Sequence, residues 1–216
     1  LVYDPIYLEH DTGKHPENSQ RLVAIMSHLE ETGLMNQAAT LTPRAASVKE
    51  LETVHAPEYI YQVKNKAEGG GGWLDADTVM CPKSYEAALY AAGGGLTAVE
   101  AVMKGEVDSA FALVRPPGHH ATHDRAMGFC LFNNVAIAAK FALANFNLGR
   151  ILVADFDVHH GNGTQGTFYD DPKVLYFSTH QYPYYPGTGS INETGDGEGK
   201  GFTVNFPMTA GWGDEE

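Results

Sequence analysis

Residues Ile151–Gln165 read ILVADFDVHHGNGTQ. The apolar run Ile151–Ala154 has the length of a buried strand, and the glycines after it signal a turn. At its end stand Asp155 and Asp157, then His159 and His160. In extended chain, residues i and i+2 point to the same side, so Asp157 and His159 can reach one metal ion. Asp155 lies on that side too but nearer the core, which suits it to hold a ligand in place or to bind a hard monovalent ion. A DxD pair after a strand can also simply cap a turn; the adjacent HHGNG makes that the weaker reading.

A second histidine pair follows another apolar run. Phe111–Val114 leads into Arg115–His120, RPPGHH, so four of the ten histidines gather at two expected strand ends. Imidazoles and carboxylates together suit zinc, with further carboxylates fixing the imidazoles. The bland alternative, two loop histidine pairs satisfied by neighbours, would be favoured by one pair alone and is disfavoured by two. Pro116, Pro117 and Gly118 form a stiff turn that aims His119 and His120 into a cleft. Neutral imidazole near physiological pH can take a proton from a metal-bound water. Asp155 and Asn162 are candidates for orienting these imidazoles. Gly128–Asn134, GFCLFNN, offers a bare backbone at Gly128 and an aromatic wall at Phe129. Tyr182–Gly189, YPYYPGTG, reads either as a rigid surface loop or as the opposite wall of a narrow channel for an aliphatic chain.

The rest of the chain supplies a frame. Pro16–Gly33 is expected to be helical, with Leu22, Ile25, Met26 and Leu29 on one face. Ser84 is expected to cap a helix running to about Lys104, with Leu89, Ala92, Leu96, Val99 and Met103 inward. Gly93–Gly95 within it would let a neighbour approach closely, and Gly69–Gly72 reads as a flexible surface turn. Strands are expected at Ser109–Val114, Ile151–Asp155, Val174–Ser178 and Phe202–Phe206, with an Ala-rich helix at Asn134–Asn145. Buried strands alternating with helices point to an α/β protein, a three-layer α/β/α sandwich with a mainly parallel sheet. Ligands bind at the carboxyl ends of the strands in such sheets, where both histidine motifs are expected.

Composition narrows the function. The 216 residues suffice for one domain with a real core. A net charge of −13 disfavours direct binding to nucleic acid. Cys81 and Cys130 make no disulfide framework, the first residues carry no signal-like pattern, and Val135–Asn145 is too short to span a bilayer. The expectation is a cytoplasmic protein without a membrane partner.

These motifs, with HPENSQRL (His15–Leu22), VHAPEYI (Val54–Ile60), STH (Ser178–His180) and VNFP (Val204–Pro207), are similar to those of the zinc-dependent histone deacetylase family, within the arginase–deacetylase superfamily. The resemblance runs along nearly the whole chain. Asn162 and the HPE segment resemble class II enzymes and their bacterial relatives. The resemblance implies a zinc hydrolase that removes acetyl groups from an acetylated protein or a small acetylated amine. By position, Asp157 and His159 would be zinc ligands, His120 the general base and His119 its partner near the leaving amine. Asp155 would hold His119, and Asn162 would hold His120. The Gly128 carbonyl would accept a substrate N–H, and Phe129 and Tyr185 would flank the channel, Tyr185 making it more polar than the phenylalanine of many relatives. Arg21 would belong to an acetate-release pocket. A potassium or sodium ion would be held by Asp155, Asp157, His159, Ser178 and Thr179, and a second by carbonyls near Phe168, Asp171, Val174 and Phe202.

The family's third zinc ligand, an aspartate on a later strand, and its oxyanion-stabilising tyrosine have no matching motif here. The chain is therefore expected to be the N-terminal portion of a longer domain. Alone it should be inactive or nearly so, and should need a complementing C-terminal segment or a homo-oligomer. Two other readings stand beside this one. An arginase-like binuclear manganese site needs a second carboxylate at position 161, which is Gly161. A non-catalytic acetyl-lysine or small-molecule binding module would not need a general base; an acetylpolyamine amidohydrolase is a further variant of the enzyme reading.

Overall fold

A computed structural model describes residues 1–213; residues 214–216, the end of the expected domain, lie outside the described residues. After a 3-10 turn at Pro5–Glu9 come α1 (Gln20–Glu31), a second 3-10 turn at Leu34–Gln37, α2 (Val48–Leu51) and α3 (Pro57–Glu68). The hairpin β1 (Gly72–Trp73) and β2 (Val79–Met80) leads to the long α4 (Ser84–Met103). The second half runs α5 (Asn134–Asn145), β3 (Ile151–Asp155), α6 (Asn162–Phe168), β4 (Val174–Gln181), a 3-10 turn at Gly197–Gly199 and β5 (Thr203–Met208).

Strands β3, β4 and β5 lie in that order, all parallel, with Asp155 opposite Ser178 and Ser178 opposite Asn205. The α/β expectation with a parallel sheet is met. One sheet face, carrying Val153, Val174 and Tyr176, closes on a core built with Leu51, Ile60 and Val63, Ala88, Ala92 and Leu96 of α4, and Ile137 of α5. The other face shows Leu152 61 %, Val204 41 % and Phe206 50 % exposed. A sheet apolar on both faces is the pattern of a strand set covered on both sides.

Helix α4 is the central support. Small residues on it leave no room for side chains at its contacts: a Cβ on Gly93 would lie 1.7 Å from the Arg44 carbonyl oxygen, as the glycine run suggested. Ala88 and Ala92 are buried as part of the core that α5 also lines. Helix α5 starts where the Asn133 side chain accepts from the Ala136 N–H, and it carries the Ala-rich face inward.

Five local expectations fail. Ser109–Val114 is not a sheet strand; among the described residues its backbone-to-backbone bonds go to Val2, which donates to Phe111 O and accepts from Leu113 N–H, so no ladder propagates. Helix α1 starts at Gln20, because His15–Ser19 is committed to a turn in which Asn18 donates to His15 O and accepts from Gln20 N–H. Ser84 does not cap α4: Lys83 holds that position, and Ser84 Oγ instead accepts from Cys81 N–H and bonds the buried His10. Met103 is on the exposed side of α4's last turn. The Gly69–Gly72 turn is tightly seated, since a Cβ on Gly71 would fall 2.2 Å from Met80 O.

Candidate metal and acid–base site

The carboxyl end of β3 opens into a cleft of about 840 Å³ lined by Arg21, His119, His120, Gly128, Phe129, Asp155, Asp157, His159 and Tyr185, among others. The sequence-derived site residues therefore converge, though not by the simplest route. Residues 156–159 bend rather than continue the strand. Side-chain-to-backbone bonds bring Asp157 and His159 together: Asp155 Oδ1 accepts from Asp157 N–H, and Asp157 Oδ1 accepts from His159 N–H at 2.8 Å. Phe156, between Asp155 and Asp157, is 89 % exposed.

The histidine pair is built from the other side. Arg115, fully buried, donates from Nε to both Glu17 oxygens (2.8 and 2.9 Å) and from its other nitrogens to Tyr7 O, His10 O and Thr12 Oγ1. That anchor precedes the Pro116–Gly118 turn, which packs so closely that a Cβ on Gly118 would lie 2.6 Å from Asn134 N. The first turn of α6 then locks the pair from beneath: Gly163 and Thr164 N–H both donate to His119 O.

His119 Nδ1 lies 2.9 Å from Asp155 Oδ2, and His120 Nδ1 lies 2.8 Å from Asn162 Oδ1. The Asn162 amide nitrogen faces His120 O and Met127 Sδ, both acceptors, which sets its oxygen toward the imidazole. Both Nδ1 atoms therefore donate a proton, His119 to Asp155 and His120 to Asn162. Burial, and next the neighbouring His119, pull the His120 pKa down to about 4, so it is neutral at pH 7. Burial acts to raise the Asp155 pKa, but the His119 hydrogen bond and charge prevail and hold it below the ordinary value. The two imidazoles lie 4.0 Å apart, centre to centre.

Asp157 Oδ1 and His159 Nδ1 are 3.1 Å apart. Two ligands of a tetrahedral zinc ion at its usual bond lengths are separated by roughly 3.3 Å, so this donor pair fits one edge of such a site. Among the described residues, no group of three His, Cys, Asp or Glu side chains is disposed to hold a metal ion.

Gly128 could not be another residue here. Its φ is +55°, and a Cβ would fall 2.3 Å from His120 Cδ2. Phe129 follows at φ 70°, a costly region for a large side chain, and is held there by Thr78 Oγ1 on its N–H and by His15 edge-on at 4.7 Å. Tyr185 stands edge-on to His120 at 5.1 Å and to His159 at 5.9 Å. Its ring forms part of the cleft wall, and its hydroxyl is buried with no hydrogen-bond partner among the described residues. Arg21 lines the cleft and donates to Val114 O at 3.2 Å.

Of the expected cation ligands, Asp155 and Ser178 are neighbours across β3 and β4. The Ser178 hydroxyl bonds His180 Nδ1 at 2.8 Å, and Thr179 follows it on β4. Phe168, Asp171 and Phe202 carbonyls each accept one backbone N–H, near the start of β4 at Val174, so each retains one lone pair. The sequence reading passed over Tyr184, stacked on His159 at 5.2 Å and 14°, and the buried Arg115–Glu17 pair. Glu17 inside HPENSQR and Arg115 inside RPPGHH were visible, but 98 residues of separation hid their contact.

The chain belongs to the histone deacetylase domain family, whose sequence profile matches residues 15–216. It is 43% identical over 218 residues to a probable deacetylase of Archaeoglobus fulgidus, covering all of this chain and 60% of that protein. A probable deacetylase of Methanothermobacter thermautotrophicus is 45% identical over 199 residues, 91% of this chain and 59% of that one. Human histone deacetylase 9 is 39% identical over 98% of this chain and 24% of its own length. The crystal structure of the HDA15 HD domain superposes with a TM-score of 0.94 at 38% identity, over 97% of this chain and 63% of that one. The chain thus spans about 60% of the archaeal relatives' length. Among the described residues no helix is long and apolar enough to cross a membrane.

Proposed function

We propose that this protein is part of a zinc-dependent deacetylase acting on an acetylated lysine or a similar acetylated amine. The observation that carries the reading is the pair of imidazoles whose Nδ1–H groups are committed to Asp155 and Asn162, with His120 neutral and its Nε2 bare, beside the Asp157–His159 donor pair. Asp157 and His159 would hold the metal, with a third ligand from outside the described residues. When bound, the ion supplies Lewis acidity and an acidified water. His120, neutral, accepts a proton at Nε2. His119, backed by the Asp155 carboxylate, stabilises positive charge near the leaving amine. The Gly128 carbonyl accepts the substrate N–H, Phe129 and Tyr185 enclose the aliphatic chain, and Arg21 faces the departing acetate. Potassium or sodium would sit behind Asp155 and Ser178.

A binuclear manganese reading is disfavoured on space as well as on sequence. A Cβ at Gly161 would lie 2.2 Å from Asp155 Oδ2, so a bridging carboxylate has no room there. The exposed Leu152, Val204 and Phe206 face would be covered by a complementing segment or a second copy. The test is zinc content and turnover of an acetyl-lysine reporter by the intact protein. Zinc at one ion per protein with turnover supports the reading. Zinc without turnover, with acetyl-lysine bound, points to a binding module; two tightly bound divalent ions point to the binuclear class.

A further inference from the structure

None of the roles above uses Glu193, yet its carboxylate is the most heavily bonded acceptor near the aromatic wall. It accepts from Gly189 N–H (3.0 and 3.1 Å), from Ser190 N–H (2.9 Å) and from Gln165 Nε2 (2.6 Å). Because Gln165 gives its nitrogen to Glu193, its oxygen faces His160 Nε2 at 2.9 Å and Asn205 Nδ2 at 2.7 Å. His160 must then carry its proton on Nε2, so Nδ1 accepts from the Thr188 hydroxyl at 2.7 Å. A directed chain of hydrogen bonds thus runs from Glu193 through Gln165 and His160 to Thr188. His180 closes the other side by donating from Nε2 to Gly189 O at 2.8 Å. Gly189, at φ +91°, rests on both buried imidazoles; a Cβ there would lie 2.4 Å from His180 and 2.6 Å from His160. The loop's other end is tied at Tyr182 N–H, which donates to Met208 O. Between these ends sit Tyr184, flat on His159, and Tyr185, edge-on to His120 and His159.

We infer that Glu193 is a positioning residue: with its Gln165–His160–Thr188 chain it fixes the Tyr182–Gly189 loop so that Tyr184 clamps the His159 imidazole and Tyr185 walls the cleft. Its catalytic meaning rests on the deacetylase reading; the positioning itself does not. The test uses the intact protein with carbon-13-labelled histidine, metal removed by chelator. Ring protons of His159 beneath the Tyr184 face are shifted upfield, and Tyr184→Leu gives their unstacked position. Glu193→Gln, which turns an acceptor into a donor facing three donors, is expected to move His159 most of the way to that position. Thr188→Val, at the far end of the chain, is expected to move it in the same direction and decides the matter if Glu193→Gln does not fold. His159 unmoved in the folded variants, or unmoved by Tyr184→Leu, overturns the inference. With zinc and an acetyl-lysine reporter, Glu193→Gln should raise KM about tenfold, the worth of one hydrogen bond to a charged group, with a smaller change in kcat. Loss confined to kcat would indicate a fall in folded enzyme and overturn the positioning role. A wild-type protein without turnover would sink the deacetylase reading and leave the ring shift to judge Glu193.

Discussion

Glu17→Gln probes the anchor that aims the histidine pair. Arg115 is fully buried and carries a guanidinium, a group that needs a counter-charge when taken out of water. Its carboxylate partner among the described residues is Glu17, reached by Nε at 2.8 and 2.9 Å; the remaining nitrogens bond neutral oxygens of Tyr7, His10 and Thr12. Removing one member of a buried pair typically costs about 3–5 kcal/mol, because the other charge is left uncompensated. Glutamine keeps one oxygen for Nε, which places the expected loss near the low end, about 3 kcal/mol. For a chain of this size that lowers the melting temperature by roughly 6–12 °C. The second Glu17 contact, to Arg21 at 3.4 Å, is half exposed on the arginine side and adds little. Thermal and urea unfolding of wild type, Glu17→Gln and the double variant Glu17→Leu/Arg115→Met provide the assay. The apolar double variant should recover most of the loss, since replacing both partners is often neutral. A Glu17→Gln protein within about 1 kcal/mol of wild type would refute the argument, because a buried guanidinium would then be tolerating the loss of its paired counter-charge.

Three further outcomes are expected. His120→Ala should lower deacetylase turnover by about 10²–10⁴ while zinc stays bound, measured by reporter assay and metal content; loss of zinc would make His120 a ligand. Gly128→Ala should cost on the order of 10²-fold in turnover, since its Cβ would drive into His120 Cδ2 and about 1 Å of misplacement can cost that much; an unchanged rate would show that His120 has slack. Stability should fall in acid: His55 donates from Nδ1 to Thr122 O and accepts at Nε2 from Asn133 N–H, and burial takes its pKa from 6.5 down to about 4. The unfolded chain protonates first, so stability is complete above pH 6.5 and declines as pH falls toward 4, by roughly 3 kcal/mol at 1.36 kcal/mol per unit. Urea midpoints from pH 7 to 4.5 would show it, and His55→Gln should flatten the profile; an equally steep profile in that variant would assign the acid sensitivity elsewhere.

Where function was concerned, the sequence determined a good deal by itself. The strand Ile151–Asp155, the helix Asn134–Asn145 and the parallel α/β class were legible because each rests on local periodicity, and the motifs marked Asp155 and Asn162 as partners for the imidazoles; that Asp155 takes His119 and Asn162 takes His120 was implied by the family resemblance. Tertiary structure decided the rest. Ser109–Val114 has strand-like residues but finds only Val2 to pair with, and pairing partners are not written in a strand's own sequence. Ser84 has the side chain of a cap, yet His10, 74 residues away, claims its hydroxyl. Asp157 and His159 face one another through a ladder of side-chain bonds, where extension alone had been expected to align them. Glu193 and Glu17 looked like any surface carboxylates until folding set each beside a donor far along the chain. Local patterns fix what a segment can form, and long-range packing and hydrogen bonding select which buried groups meet.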